Sequence, residues 1–318
     1  MKIDATTILC LLTISFGLHL EGAQGLRGLN NATVTVCVVD DTGVPVCGVH
    51  SMIYSLSDYD VTPGLTDTNG LVSCKLNNIF SEVGGSFRKK GYYQSSGTFW
   101  KWKKWGEIPP ASTNFIITIM RIVDPVPMIK KDVTAYLPRL NDAIGFDMEI
   151  GDWVNPDGKG KYADMLITAT RQVKSSEDFE FQVTISFTGK QTGIQPYGIT
   201  NSSVLVTSSK LMAPNIAPDS GYNPVFTGNY SLHNNIRRES FYEKKRWIFR
   251  IRTKLDSKGD VEGANYGWLA SDFKLSPNLE RNGAINVTYY YNPDPHSRSL
   301  EPKEIADRQA KDIPEMMK

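Results

Sequence analysis

Residues 179 to 187 read Phe-Glu-Phe-Gln-Val-Thr-Ile-Ser-Phe, with Phe179, Phe181, Val183, Ile185 and Phe187 alternating without a break against polar neighbours. A period of two sends the apolar set to one side of an extended chain, so this stretch is a strand with one dry face and one wet face. Such a strand is not stable alone and commits the surrounding chain to a sheet. The period recurs at 33–39, where Val34, Val36 and Val38 share a face, and further strands are readable at 163–171, 203–207, 246–253, 266–273 and 284–291. The predicted class is all-β: two β-sandwich domains in series, the first over 27–128, the second a larger jelly-roll-like sandwich over 129–298, then a charged tail over 299–318 that lacks an apolar stripe and is expected to fray.

The first domain is organised around 40–49, Asp-Asp-Thr-Gly-Val-Pro-Val-Cys-Gly-Val. Its first four residues are a turn in which Gly43 is free to take positive φ, and Pro45 fixes φ ahead of the next strand. There His50 alternates with Met52 and Tyr54, which reads as a packed core residue rather than a base. An Asn-Gly turn at 69–70 leads into 71–76, and 114–123 is apolar on both faces, the mark of a central, covered strand. No amphipathic helix interrupts this series, so an antiparallel sandwich is expected. The order Asp-x-x-Gly-x-Pro-Val-x-Gly-Val at 40–49, Thr-Asp-x-x-Gly at 66–70 and Lys90-Gly91-Tyr92 resembles the carboxypeptidase regulatory-like domain, a transthyretin-type seven-stranded sandwich. That resemblance implies a fold and an extracellular setting, and no catalytic residue. Past the stiff Pro125-Val-Pro-Met128 joint, Gly145-Phe-Asp-Met-Glu149, Gly151-Asp-Trp-Val154 and Gly158-Lys-Gly-Lys161 resemble a domain of uncharacterised bacterial secreted proteins, which implies architecture alone.

Residues 1–25 read as a secretory signal, with Lys2 ahead of an uncharged apolar run over 5–20 and cleavage expected after Gly25 or Ala23. No later stretch is apolar enough to span a bilayer, so a secreted, periplasmic or cell-envelope address is expected, with no transmembrane segment in the mature chain. The net charge of +1 becomes +2 without Lys2, Asp4 and Glu21. Near neutrality argues against nucleic acid as a partner. Three cysteines remain after cleavage, Cys37, Cys47 and Cys74. Cys37 and Cys47 flank the opening turn and form the candidate disulfide; reduced, buried thiols are the alternative.

Two segments carry candidate chemistry. Phe99-Trp-Lys-Trp-Lys-Lys-Trp105 places Trp100, Lys101, Trp102, Lys103 and Trp105 within six positions. Indole faces stack on sugar rings and ammonium groups meet acidic ones, so this is the candidate ligand site, unless the indoles plug the sandwich. The second segment, 147–164, gathers Asp147, Glu149, Asp152, Asn155, Asp157 and Asp164 around a Gly-rich turn. Asp147 and Glu149, read as the wet face of a strand, have the spacing a glycosidase pair uses, and Asp147, Glu149, Asp152 and Asp157 together offer oxygens for calcium; plain solvated carboxylates are the third reading. Trp153 falls where an EF-hand loop needs a ligand, so that motif fails. Arg246, Arg250 and Arg252 read as a wet-face stripe, met either by a polyanion or by cross-strand acids.

No Gly-x-Ser-x-Gly, His-Glu-x-x-His or phosphate loop is present, and His50, His233 and His296 are scattered, so a Ser-His-Asp set could come only from distant loops. Asn31, Asn201, Asn229 and Asn286 begin Asn-x-Ser/Thr triplets, which matter only in a host that glycosylates. The expected function is a non-catalytic binding or surface-structural protein of the cell envelope, glycan binding being its sharpest form and a glycan or an envelope protein its partner. A polysaccharide hydrolase using the second domain's carboxylates and an envelope assembly subunit are the alternatives. No cofactor is expected beyond possible calcium.

Overall fold

The structure is a computed structural model that describes residues 32–55, 61–76, 82–101, 112–197, 206–240, 246–271, 273–277 and 281–311. The leader predicted over 1–25 lies outside these residues. In chain order the described elements are β1 (Ala32–Asp40), β2 (His50–Ser55), β3 (Val61–Leu65), β4 (Leu71–Leu76), β5 (Glu82–Arg88), β6 (Ser95–Lys101), β7 (Ser112–Ile119), β8 (Ile129–Tyr136), β9 (Ala143–Asp147) and β10 (Asp152–Trp153). There follow β11 (Met165–Ser175), β12 (Asp178–Phe187), β13 (Gly193–Tyr197), β14 (Val206–Ser209), β15 (Val225–His233), β16 (Ile236–Glu239), β17 (Arg246–Leu255), β18 (Val261–Leu269), β19 (Lys274–Ser276), β20 (Ala284–Tyr291) and the helix α1 (Lys303–Lys311). The chain is all-β, and its four sheets form two sandwich units. No described helix is long and apolar enough to cross a membrane.

The first unit contains a sheet of order β4-β1-β7 and one of order β14-β6-β5-β2-β3. Val34, Val36 and Val38 of β1 meet Ile53, Val83, Phe87, Val72, Leu76 and Ile117 in one buried cluster. Each fully buried side chain of this size contributes roughly 1.5–3 kcal/mol. Three expectations change here. β7 is an edge strand paired parallel to β1, so the unit is not wholly antiparallel, and Ile116 on its outer face is 62% exposed. In β2 the inward set is Ser51, Ile53 and Ser55, with His50 only half-buried, because small polar residues fill the dry face and hide its period. And β14, from residues 206–209, pairs with β6 through Val206↔Thr98 to Ser209↔Ser95, so 206–210 belongs to the first unit although the described chain on either side of it builds the second.

The two family-like turns are built the same way. Asp40 Oδ1 accepts from the Thr42 amide at 3.0 Å, the Val44 amide at 3.0 Å and the Thr42 hydroxyl at 2.6 Å, while Arg121 donates to Oδ2 at 2.7 Å. Asp67 Oδ1 likewise accepts from the amides of Asn69 and Leu71. Gly70 takes φ +71°, and a Cβ there would lie 2.5 Å from the Val38 carbonyl, so no other residue fits. Burial alone would raise the Asp40 pKa, but the Thr42 hydroxyl, the Val44 amide and Arg121 outweigh it and hold the group at about 2 against an ordinary 3.8. A depressed carboxylate stabilises the fold fully above its unfolded value, and that contribution is lost as pH falls through the folded value. Fluorescence-monitored unfolding from pH 5 to pH 1.5 is therefore expected to show an acid limb that flattens in Asp40→Asn; an unchanged limb would assign the loss to other carboxylates.

The second unit is a sandwich of two antiparallel sheets, one of order β10-β9-β11-β12-β15-β16 and one of order β13-β17-β18-β20-β19, with β8 also paired to β20. Phe181, Val183 and Ile185 of β12 face Phe249, Ile251, Leu269, Ile285, Val287 and Tyr289 in the larger core. Over its described residues, 299–311, the tail is ordered rather than frayed as predicted. Leu300 and Glu301 are fully buried, the Glu301 carboxylate accepts from the amides of Val123 and Asp124 at 3.0 Å each, and α1 follows. Trp268 Nε1 donates to the Leu300 carbonyl at 3.0 Å and Tyr290 donates to Glu304 at 2.9 Å, so the tail covers the outer face of β18 and β20. Its few apolar residues suffice because two aromatic residues with polar tips receive them.

Candidate functional site

The acidic stretch folds around one residue from far along the chain, Arg252. In β17 the pairing with β18 slips between Ile251 and Lys254, and Arg252 sits at φ +53° in this bulge. A bulge re-aims a side chain that regular alternation would send elsewhere. Arg252 Nε donates to Asp164 Oδ1 at 2.8 Å and Nη2 to Asp164 Oδ2 at 3.0 Å, a two-pronged fork. Nη2 also donates to Asp147 Oδ1 at 3.0 Å, and Nη1 donates to Glu149. The guanidinium lies 5.1 Å from the centre of the Tyr162 ring.

Backbone amides complete the site. Asp147 accepts from Glu149, Ile150, Lys161 and Tyr162, and Asp164 accepts from Met148 at 2.9 Å. Gly160 passes so close that a Cβ would lie 2.7 Å from the Asp147 Cβ, which only glycine allows. Burial pushes the Asp147 carboxyl up, yet the amides of Lys161, Ile150 and Tyr162 and the charge of Arg252 together leave it below the usual range. For Asp164 burial wins over Arg252 and the Met148 amide, and its pKa is raised. Arg252 itself loses some affinity for its proton through burial and regains more from Asp164 and Glu149, so it stays charged.

This arrangement corrects the expected one. The strand β9 ends at Asp147, so Asp147 is 1% exposed rather than on a wet face. Asp147 and Glu149 do come together, but on one guanidinium. Asp152 is spent on the amides of Trp153 and Lys159, and Asp157 pairs with Arg139 at 2.6 Å, so neither joins them. Among the described residues no group of three or more potential ligands is placed to hold a metal ion. The cation at the centre is the chain's own arginine.

The basic stripe is not a surface either. Arg250 is 3% exposed, donating to the carbonyls of Gln191 at 2.6 Å and Asp219 at 2.8 Å with its guanidinium 4.4 Å from the Tyr222 ring centre. Both faces of the β17 apolar run are covered, Ile248 as well as Phe249 and Ile251, and an arginine inside such a run must find partners indoors. Cys37 and Cys47 are free thiols rather than a disulfide, since the inward places of β1 go to Val36 and Val38 and each sulfur turns to a carbonyl, of Asn69 and Thr66. Cys74 is buried and its thiol is pushed up to about 11 by burial. His233 places Nδ1 2.6 Å from Asp178 and Nε2 3.1 Å from Glu180, so both ring nitrogens face carboxylates and neither is open to a serine hydroxyl.

In the tryptophan segment, the backbone of Trp100 and Lys101 ends β6, opposite Val83 and Glu82 of β5, just past an irregularity in that pairing. Trp102, Lys103 and Trp105 lie outside the described residues. A surface that sequence reasoning missed is a groove of about 280 Å³ on the outer face of β11, β12 and β15. Its polar side chains were legible as the wet half of the β12 alternation, but their neighbours on β15 were not.

No family model matches the chain, and no curated protein does. Among solved structures it is similar to the Bacillus anthracis TIE protein, at 15% identity over 51% of this chain and 29% of that one, with a TM-score of 0.23. A DUF3823 family protein from Parabacteroides merdae is 9% identical over 86% of this chain and 99% of that one, TM-score 0.21. A streptococcal ancillary pilin is 10% identical over 67% and 60%, TM-score 0.20. The chain thus spans under a third of the first of these.

Proposed function

We propose that the chain is a non-catalytic, secreted binding or surface-structural protein of the cell envelope that recognises glycans through Trp100, Lys101, Trp102, Lys103 and Trp105. The observation that carries the non-catalytic part is the commitment of the acidic stretch: Asp147, Glu149 and Asp164 serve Arg252, Asp157 serves Arg139, and Asp152 caps a turn. A glycosidase acid needs a carboxyl held apart from permanent cations so that it keeps its proton near neutral pH. The glycan part draws on the aromatic and cationic composition of 99–105.

The test is sedimentation of residues 26–318 with insoluble polysaccharides and peptidoglycan sacculi. Binding is expected for the parent and at least a tenfold loss for Trp100→Ala/Trp102→Ala with an unchanged melting curve. Release of reducing sugar that disappears in Glu149→Gln would replace this reading with a hydrolase. One observation favours the assembly-subunit reading as a second: Leu71, Cys37 and Ile116 lie in one register row on the outer face of the three-stranded sheet, with Leu71 and Ile116 exposed. That reading requires concentration-dependent self-association in sedimentation velocity.

A further inference from the structure

The outer face of the sheet that holds β12 carries two cross-strand rows. Thr170, Gln182 and Asn229 are register partners across β11, β12 and β15, and so are Gln172, Glu180 and Ser231. These six side chains line the groove of about 280 Å³. A third row, Thr168, Thr184 and Thr227, continues it toward the other end of the strands, with the Thr184 and Thr227 hydroxyls 3.3 Å apart. Strand spacing of about 4.8 Å and a same-face repeat of about 6.7 Å set these groups on a grid roughly 10 Å wide.

The chemistry of the grid is narrow. Eight of the nine positions carry a hydroxyl or a carboxamide, groups that each donate and accept. The only internal bond across the first row runs from Gln182 Nε2 to Asn229 Oδ1 at 2.9 Å, which leaves the other amide hydrogen of Gln182, its carbonyl oxygen and both amide hydrogens of Asn229 directed to solvent. The one charge, Glu180, already faces His233 at 3.1 Å. The nearest cation in register is Arg238 of β16, beside Ser231 at the edge of the grid, so an acidic polymer lying across the three strands meets the Glu180 carboxylate, while an apolar partner would leave the amides unpaired. A polyhydroxylated, uncharged chain satisfies them. The platform is also rigid, since Phe179, Phe181, Val183 and Ile185 anchor β12 in the core beneath it.

We propose that this face binds a neutral polysaccharide chain lying across β11, β12 and β15. The site is separate from the tryptophan segment and stands without it. Affinity electrophoresis of residues 26–318 through gels containing xyloglucan, glucomannan or mixed-linkage β-glucan, with polygalacturonate as the acidic control, tests it. Retardation by at least one neutral polymer and not by polygalacturonate is expected, with affinity about tenfold weaker in Gln182→Ala/Asn229→Ala, whether the change is made in the parent or in the Trp100→Ala/Trp102→Ala background. Thr170→Val/Gln172→Leu, which alters the opposite edge of the grid, should weaken binding as well, and matching melting curves show that each variant is folded. No retardation by any neutral polymer, retardation equal in polygalacturonate, or retardation indifferent to both grid variants overturns the proposal. If the loss instead follows the tryptophans alone, the glycan reading stands and this face is a solvated sheet surface.

Discussion

Arg252→Met is expected to lower the unfolding free energy by about 3–5 kcal/mol, the cost of leaving buried charge without its partner. The side chain reaches Asp147 and Asp164, which are 1% and 2% exposed, and it joins β17 to a turn region some hundred positions earlier in the chain. Removing it leaves two shielded carboxylates and Glu149 around an empty centre. Arg252→Lys should recover little, because one ammonium cannot make the fork to Asp164 while also reaching Asp147. Adding Asp147→Asn and Asp164→Asn to Arg252→Met should restore part of the loss by removing the repulsion. Urea denaturation at pH 7 measures all three variants. A loss under about 1 kcal/mol in Arg252→Met would mean that backbone amides alone hold the stretch.

Trp268→Ala is expected to cost about 3–5 kcal/mol, within the range for deleting a fully buried indole. Its ring stacks on Tyr290 with centroids 4.7 Å apart, and its N–H is the donor for the Leu300 carbonyl. Trp268→Phe separates the two contributions: it keeps the stack and gives up the hydrogen bond, for about 1–2 kcal/mol. Limited proteolysis gives an independent reading, since cleavage within 299–311 should appear in Trp268→Ala well below its global midpoint. Loss of stability without new cleavage there would show that the tail is held by Glu301 rather than by the indole.

The strands legible in the sequence are those with one face dry along their whole length. β12 alternates strictly and was placed within one residue, as was most of β17 and β20. β15 was not legible, because Gly228 is buried while Phe226 and Tyr230 are only partly so, and its turn to β16 uses Asn234 and Asn235 at positive φ without a glycine. The acidic stretch was legible as a cluster but not as an ion-pair hub. Its cation lies 88 residues from Asp164, and the backbone bulge that aims it leaves no mark in composition. One signal was present: Arg250 and Arg252 interrupt a run of Ile248, Phe249 and Ile251 that is too apolar to be half wet, so those arginines had to be indoors with partners.

The strand β14 bears on how the protein is made. The ribosome delivers β6 long before residues 206–209, so the first unit's five-stranded sheet waits with an unpaired edge while most of the second unit is still being synthesised. A chain synthesised in that order has an exposed β-ladder as its most vulnerable intermediate, open to pairing with a neighbour. Cutting the gene at the proline joint would freeze that intermediate, whereas a split placed after residue 210 keeps the edge covered.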